Sequence, residues 1–331
     1  MVTRVQGCPD KFIIPAVPEK IMELSSRRML WLLCALCAFG QFPAVAQKTC
    51  QLTSIVNVRD PQGKLVPGLH PASFQATLRG QPVKILSATL QSQPRVVLLL
   101  DVSGSINRDN HNFALARFAA GNFVTTSAVP HVALVLFSNR ILATLRFDAQ
   151  PKEMLQKLAD LNDGQGYTAA FDSLMYSASL FDAPRPGDAV YFISDGGDNR
   201  SKFRSKDVEK HFQSEDIRLF SFILWQGGQS VEEQAGLYDL KHLAEVTGGS
   251  IANVKRDESA KGREWLKASL LRTYDTMKNF YQLEVELPSN ADTRHQWELQ
   301  VVDEHGKKRK DVEVTYARNL PGCTAESPQK K

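Results

Sequence analysis

Five short apolar runs, separated by longer helix-like segments, constrain the fold of this 331-residue chain most strongly. Runs rich in Val, Ile, Leu and Phe are typical of strands buried on both faces of a parallel sheet. The predicted strands are Arg95–Asp101, Val132–Phe137, Ala189–Ser194, Ile217–Leu224 and Ser250–Val254. The predicted helices are Asn110–Thr125, Lys152–Leu161, Ala169–Leu180, Ser205–Gln213, Val231–Val246 and Glu258–Phe280. This alternation favours a doubly wound α/β fold, with a mostly parallel sheet and helices on both faces.

The two flanks of this region instead alternate apolar and polar residues, as strands with one buried face do. The flanking strands that this pattern predicts are Gln51–Asp60, Phe74–Leu78, Gln81–Leu90, Tyr281–Leu287, Trp297–Val302 and Asp311–Tyr316. Neither flank alone has a confident core, because independent stability needs about three strands with a buried face. We therefore expect the flanks to combine into one small all-β sandwich, with two separate β-modules as the alternative.

The N-terminus has the features of an export signal. Arg27-Arg28 precede the apolar stretch Met29–Phe39, and Ala44-Val-Ala46 offers small residues for cleavage before Gln47. The apolar stretch is too short for a membrane span, which needs about 20 residues. We expect an exported chain, periplasmic or secreted, without a transmembrane span after cleavage; an uncleaved anchor is the alternative.

The expected organisation therefore has five parts. They are a leader at 1–46, an N-terminal β segment at 47–92, the α/β domain at 93–281, a C-terminal β segment at 282–323 that packs with the first, and a disordered tail at 324–331. Only Cys50 and Cys323 remain after removal of the leader, and two lone cysteines of an exported protein usually pair. A Cys50–Cys323 disulfide would clasp the β-sandwich.

Charge and histidine content exclude some classes of function. The formal net charge is only +4, which favours neither nucleic acid nor an anionic membrane as the partner. The seven histidines are scattered without paired spacing, so a zinc centre is not expected.

Three predicted loops carry oxygen-bearing side chains at the ends of strands or before a helix. They are Asp101-Val-Ser-Gly-Ser105, Gly164-Gln-Gly-Tyr-Thr168 and the segment that begins at Asp195. Open parallel sheets gather their ligands beyond the carboxyl ends of the strands, so the three loops can converge. Each motif alone is equally typical of a turn or a helix cap. Together and in this order they favour a site for a hard divalent cation, which prefers oxygen ligands.

The order Asp-x-Ser-x-Ser, then Thr, then a strand-terminal Asp resembles the metal-ion-dependent adhesion site of von Willebrand factor type A (VWA) domains. The resemblance covers about residues 93–281 and implies the site residues Asp101, Ser103, Ser105, Thr168 and Asp195. It implies that the two serines bind the ion directly and that the threonine binds it directly or through water. The two aspartates would act mostly through water.

The same resemblance implies a metal and a partner. Mg²⁺ is the expected ion and Mn²⁺ the alternative, since both accept such oxygen ligands. A protein partner would complete the coordination with an Asp or Glu carboxylate. The segment Val56–Leu69 is also similar to the N-terminal part of exported bacterial "VWFA-related" proteins of the acidobacterial type.

The expected function is therefore a metal-dependent protein-binding or adhesion module rather than an enzyme. One alternative is a Mg²⁺-dependent hydrolase or phosphotransferase with Asp101 as nucleophile. Such enzymes usually need a second Asp two residues later as general acid, where this chain has Ser103. The other alternative is a structural VWA domain whose site is not used.

Overall fold

The computed structural model describes residues 49–106, 110–162, 164–225, 231–255, 259–288 and 295–320. In chain order the strands are β1 (Thr49–Arg59), β2 (Phe74–Leu78), β3 (Gln81–Gln91), β4 (Arg95–Asp101), β5 (His131–Phe137), β6 (Ile141–Leu145), β7 (Ala189–Ser194), β8 (Arg218–Trp225), β9 (Ser250–Lys255), β10 (Phe280–Pro288), β11 (His295–Val301), β12 (Glu313–Tyr316) and β13 (Asn319–Leu320). The helices are α1 (Asn110–Thr126), α2 (Pro151–Ala159), α3 (Ala170–Ser179), α4 (Ser205–Ser214), α5 (Val231–Val246) and α6 (Ala260–Lys278).

A six-stranded mixed sheet has the order β6-β5-β4-β7-β8-β9. All its pairings are parallel except that of β6 with β5, which is antiparallel. Alternate residues of β4 enter two separate apolar clusters: Leu98 lies in the cluster with α1, α2 and α6, and Leu99 in the cluster with α3, α4 and α5. Both leucines are fully buried. The prediction of an α/β domain is thereby confirmed, and β4 is an inner strand with helices over both of its faces.

A second, seven-stranded sheet has the order β12-β1-β10-β3-β2-β11-β13, and its pairings are antiparallel. Its strands come from both flanks of the chain, with β1 paired to β10 along eight residue pairs from Thr49↔Pro288 to Val56↔Tyr281. The predicted flanking sandwich is therefore confirmed only in part. The two flanks do combine, but their strands lie in one continuous antiparallel sheet rather than in two packed sheets.

Trp297 brings strands near the two ends of this sheet together. Its indole Nε1 donates a hydrogen bond to the Ala317 carbonyl at 2.8 Å, and its ring meets the Tyr316 ring edge-on at 5.3 Å. The Tyr316 hydroxyl in turn accepts a hydrogen bond from the Leu299 N–H at 3.0 Å. These contacts close the sheet over an apolar cluster that includes Leu283, which is fully buried.

Two buried arginines hold the end of α6, where the chain passes from one sheet to the other. Arg59 of β1 forms an ion pair with the Asp275 carboxylate and donates to the Asn279 carbonyl at 2.8 Å. Arg218 of β8 donates to the Met277 carbonyl at 2.8 Å. Buried cations are tolerated only when they are hydrogen-bonded or paired. These contacts therefore fix the last turn of α6 against strands of both sheets.

Several predictions concern residues outside the described ranges. Cys50 is disulfide-bonded, but its predicted partner Cys323 is not described, so the pairing stays a prediction. The leader at 1–46 and the tail at 324–331 are not described either, and the segment boundaries proposed between them remain predictions. Among the described residues, no helix has the length and apolar content that a membrane crossing requires.

Candidate metal centre

The first loop of the site begins at Asp101, the last residue of the inner strand β4. Its carboxylate is fully buried. Oδ1 accepts a hydrogen bond from the Ser103 N–H at 2.8 Å, and Oδ2 accepts one from the Ser194 hydroxyl at 2.7 Å. Ser194 ends the neighbouring parallel strand β7, so strand pairing sets the position of both residues. The same carboxylate thus fixes the loop that follows it and ties the ends of two strands together.

Three hydroxyl groups meet beside this carboxylate. The Thr168 hydroxyl donates to Ser103 Oγ at 2.9 Å, and Ser103 Oγ lies 3.0 Å from Ser105 Oγ. Ser105 Oγ and Thr168 Oγ1 are 3.5 Å apart. Ser103 and Thr168 are buried, whereas Ser105 is partly exposed. The structure therefore brings the three predicted hydroxyls into one cluster with a side open to solvent.

Glycines allow the first two loops to approach this closely. The Gly104 N–H donates to the Gly166 carbonyl at 3.0 Å, and the Gln165 N–H donates to the Val102 carbonyl at 3.0 Å. A Cβ atom at position 104 would lie 3.2 Å from that Gly166 carbonyl oxygen. Gly166 has φ +85°, a left-handed conformation that favours glycine. Larger residues at these two positions would push the serines away from the threonine.

The third loop holds Thr168 through its backbone. The Thr168 N–H donates to Asn199 Oδ1 at 3.0 Å, and its carbonyl accepts hydrogen bonds from the N–H groups of Asn199 at 2.9 Å and Arg200 at 3.0 Å. Asp198 Oδ1 accepts a hydrogen bond from the Ala170 N–H at 2.8 Å, at the start of α3. From the sequence, Asp198 and Asn199 are loop residues near the site without a ligand role. The sequence does not predict the hydrogen bonds through which Asp198, Asn199 and Ser194 position the site.

The contacts of Asp198 and Asn199 follow a known preference of their residue types. Asn and Asp side chains frequently accept hydrogen bonds from the exposed N–H groups at a helix start. Here the acceptors lie about 30 residues further along the chain than the helix start that they serve. The local sequence around the helix start therefore does not reveal these caps.

The two carboxylates of the site are close enough to influence each other. Asp195 follows β7, is buried, and its Oδ1 accepts a hydrogen bond from the Gly197 N–H at 3.3 Å. Burial, together with the negative charge of Asp195, raises the pKa of Asp101 from 3.8 to about 7. A nearby cation would favour the ionised form of the buried Asp101 carboxylate and so oppose this rise in its pKa.

The chemistry of this donor set fits a hard divalent ion. Within the ranges that the structure describes, no three His, Cys, Asp or Glu side chains form a metal-binding group. Any metal at this position would therefore depend on the hydroxyls as well as on Asp101 and Asp195. Hydroxyl and carboxylate oxygens are suitable ligands for Mg²⁺ and Mn²⁺. The ligand roles of the five residues remain predictions.

Comparison with known families identifies the region that contains this cluster. The family model described as the von Willebrand factor type A domain matches residues 96–197, which include all five predicted site residues. The region at residues 96–197 is of the VWA type. VWA domains commonly bind a divalent metal at an adhesion site and typically mediate interactions rather than catalysis.

Solved structures of low sequence identity resemble this chain. A von Willebrand factor type A protein from Catenulispora acidiphila is 13% identical, with a TM-score of 0.43 over 85% of this chain and 74% of that chain. The manganese-loaded TRAP protein of Plasmodium vivax is 16% identical, with a TM-score of 0.41 over 69% and 95%. The conserved hypothetical protein BatB from Bacteroides thetaiotaomicron is 14% identical, with a TM-score of 0.39 over 53% and 98%. These likenesses are too distant to carry a functional conclusion for this chain. No curated protein matches its sequence.

Proposed function

We propose that this protein is an exported binding module whose VWA domain captures a partner carboxylate through Mg²⁺, with Mn²⁺ as the alternative ion. One observation carries the proposal. Three hydroxyls from two distant loops lie within 3.5 Å of one another, beside the buried carboxylates of Asp101 and Asp195. No local turn or cap requires that convergence.

The roles follow from the charges of the ligands. Ser103 and Ser105 would bind the ion directly, Thr168 directly or through water, and Asp101 and Asp195 mostly through water. The bound ion would supply positive charge at the surface. The hydroxyls that would touch the ion are neutral and the two carboxylates would act mostly through water, so an open coordination position on the ion would still attract a carboxylate from another protein. The partly exposed side of the cluster at Ser105 is where such a carboxylate would arrive.

Export is proposed from the predicted leader, with cleavage near Ala46-Gln47 and a periplasmic or secreted location. The disulfide of Cys50 supports an oxidising compartment, where such bonds persist. The proposed disulfide partner of Cys50 is Cys323. It comes three residues after Leu320, and the Leu320 side chain packs in the same apolar cluster as Cys50. Terminal sequencing and a non-reducing peptide map of the secreted protein test both points. A mature chain that begins elsewhere, or a free Cys323 thiol, would contradict them.

The phosphotransferase alternative needs an accessible nucleophile. Both Asp101 oxygens already accept hydrogen bonds, from the Ser103 N–H and the Ser194 hydroxyl, and the carboxylate is fully buried. These contacts disfavour attack by Asp101 on a phosphate ester. Hydrolysis of phosphate esters that is lost in Asp101→Asn would reverse this conclusion.

The direct test is calorimetric titration of the purified protein with Mg²⁺, together with its melting temperature. Binding heat and a melting temperature that rises with Mg²⁺ concentration are expected, because an ion that binds only the folded state stabilises it. Thr168→Ala should abolish both effects. Ser177→Ala is the matched control, because this hydroxyl is equally buried but bonds the Ser173 carbonyl inside α3. A wild-type protein with no heat and no melting shift would instead have an unused site.

A further inference from the structure

The loop that follows the candidate metal centre, together with the start of α4, is strongly basic. Residues 199–206, with the sequence Asn-Arg-Ser-Lys-Phe-Arg-Ser-Lys, contain four basic and no acidic residues. Arg200, Lys202, Phe203 and Arg204 are exposed. None of the ion pairs within the described part of the chain uses Arg200, Lys202 or Arg204. The protein thus presents a patch of positive charge that its own described carboxylates do not pair.

Backbone hydrogen bonds fix this loop directly beside the candidate ligand Thr168. The Arg200 N–H donates to the Thr168 carbonyl at 3.0 Å. The N–H groups of Lys202 and Phe203 both donate to Asp172 Oδ1, at 2.8 and 2.9 Å. Asp172 lies in the first turn of α3, the helix that follows Thr168. The basic loop is therefore held in a defined place next to the hydroxyl cluster.

Tyr167 and Arg200 form a platform at this border. The Arg200 guanidinium carbon lies 4.3 Å from the centroid of the Tyr167 ring, and Tyr167 remains 55% exposed. Exposed aromatic and arginine side chains are the types that most often dominate protein interfaces. A guanidinium stacked on a ring has less freedom to lose on binding, and its planar fork matches a carboxylate. Phe203, which is 45% exposed, adds apolar surface nearby.

We propose that Tyr167 and Arg200 form a second recognition point, so that the partner is an acidic protein segment with a further carboxylate near the one that the metal holds. This inference rests on the proposed metal-dependent function and specifies the partner. The metal would take one Asp or Glu, and Arg200 would pair with another. Lys202 and Arg204 would attract such a segment at longer range, since charges of one sign steer an oppositely charged partner.

Two fluorescent peptides test this with the purified full chain, in Mg²⁺ and in EDTA. The first is octaglutamate, and the second is a peptide of seven glutamines with one central glutamate. The variants are Arg200→Gln and Tyr167→Ala. Lys157→Gln removes the same charge from an exposed residue of α2 and is the matched control. Fluorescence anisotropy measures peptide affinity, and calorimetry measures Mg²⁺ affinity of each variant.

Wild-type protein in Mg²⁺ should bind octaglutamate more tightly than the single-glutamate peptide. Arg200→Gln should weaken octaglutamate binding on the order of tenfold, because one charge-assisted pair is lost. Arg200→Gln should change the affinity for the single-glutamate peptide and for Mg²⁺ by less than about twofold. Lys157→Gln should change the affinity for both peptides and for Mg²⁺ by less than about twofold as well. Tyr167→Ala should weaken octaglutamate binding by about threefold, since the arginine loses its support.

The failures are distinguishable. If octaglutamate binds in a Mg²⁺-dependent way but Arg200→Gln binds it like wild type, the second recognition point is wrong and the proposed function stands. If neither peptide binds, or both bind equally in EDTA, the metal-dependent function fails and this inference fails with it. A short single-stranded oligonucleotide that displaces octaglutamate at equal concentration would show a general polyanion patch and would also overturn the inference.

Discussion

The two sheets of this protein bury their strands differently. The inner strands of the six-stranded sheet contact helices on both faces. Asp101 is the last residue of β4, and the other four predicted site residues lie in loops that follow a strand of this sheet or precede α3. In the described part of the chain, the seven-stranded sheet packs on one apolar cluster, which includes none of the predicted site residues. Loops beyond a doubly covered parallel sheet are the usual place for ligand binding, because strand ends converge there. The comparison indicates that stability and metal binding can be changed separately in this chain.

The largest expected effect is on stability, from the seven-stranded sheet. Leu283→Ala removes a fully buried side chain from β10 and should lower the free energy of unfolding by about 3 kcal/mol. The Mg²⁺ affinity of the folded protein should stay within about twofold of wild type, because Leu283 packs in an apolar cluster that includes none of the predicted site residues. Denaturant unfolding and Mg²⁺ calorimetry measure the two quantities. Leu283→Met, which nearly conserves volume, is the control and should cost less than about 1.5 kcal/mol.

A loss of Mg²⁺ affinity in Leu283→Ala, under conditions where it is fully folded, would contradict the separation. The contacts of Arg59 and Arg218 with the end of α6 would then be the expected link between the two sheets.

The second effect, in the six-stranded sheet, is a loss of Mg²⁺ affinity with little loss of stability. Ser103→Ala should lower Mg²⁺ affinity by about 100-fold or more, since residues that merely support a metal ligand already account for 10–100-fold. The unfolding free energy without metal should fall by only about 1 kcal/mol, the value of a typical hydrogen bond. Calorimetry and denaturant unfolding in EDTA measure both quantities, with Ser177→Ala as the control. Unchanged Mg²⁺ affinity would exclude Ser103 as a ligand.

The third effect concerns pH. The pKa of Asp101 rises from 3.8 to about 7 on folding, so between these values the folded state holds a proton that the unfolded state has released. Stability in EDTA should therefore fall as pH rises from about 4 to about 7 and then level off. Mg²⁺ competes with this proton, so its affinity should fall by up to about tenfold for each pH unit below 7.

Unfolding in EDTA and Mg²⁺ calorimetry at pH 5.5, 6.5 and 7.5 measure these dependences. Asp101→Asn should remove the pH dependence of stability that comes from this group. A Mg²⁺ affinity that stays constant over that pH range would contradict the assignment of Asp101 to the site.

The smallest effect concerns Asn199, which positions the candidate ligand Thr168 but has no ligand role itself. Asn199→Ala removes the side-chain acceptor of the Thr168 N–H and should lower Mg²⁺ affinity by about tenfold. Asn199→Asp keeps an oxygen acceptor and should retain more of the affinity than the alanine variant. Equal losses in the two variants would mean that the hydrogen bond to Thr168 is not what positions the threonine.

The two regions also differ in how far the sequence predicts them. The apolar run Val96–Leu100, followed by Asp101, predicts strand, burial and site at once, and the observed strand matches it residue for residue. In the flanks, alternation predicts the strands but not their order. β1 pairs with β10 more than 200 residues away, and no local pattern encodes that pairing. The two-residue strand β13 is too short for any periodic signal.

The same limit applies within the site. Asp101, Ser103 and Ser105 are neighbours in the sequence, so their spacing carries information. Ser194 and Asn199 act through contacts between residues that lie 93 and 31 positions apart. Only the folded sheet brings those pairs together, so their roles appear in the structure and not in the motif.

The most direct measurement is the anomalous diffraction of Mn²⁺ in crystals grown at saturating metal. We predict a Mn²⁺ peak among the hydroxyl oxygens of Ser103, Ser105 and Thr168, beside the carboxylates of Asp101 and Asp195. A map with no peak there, or with Mn²⁺ bound only at another place, would contradict the central claim that these five side chains form one divalent-cation site.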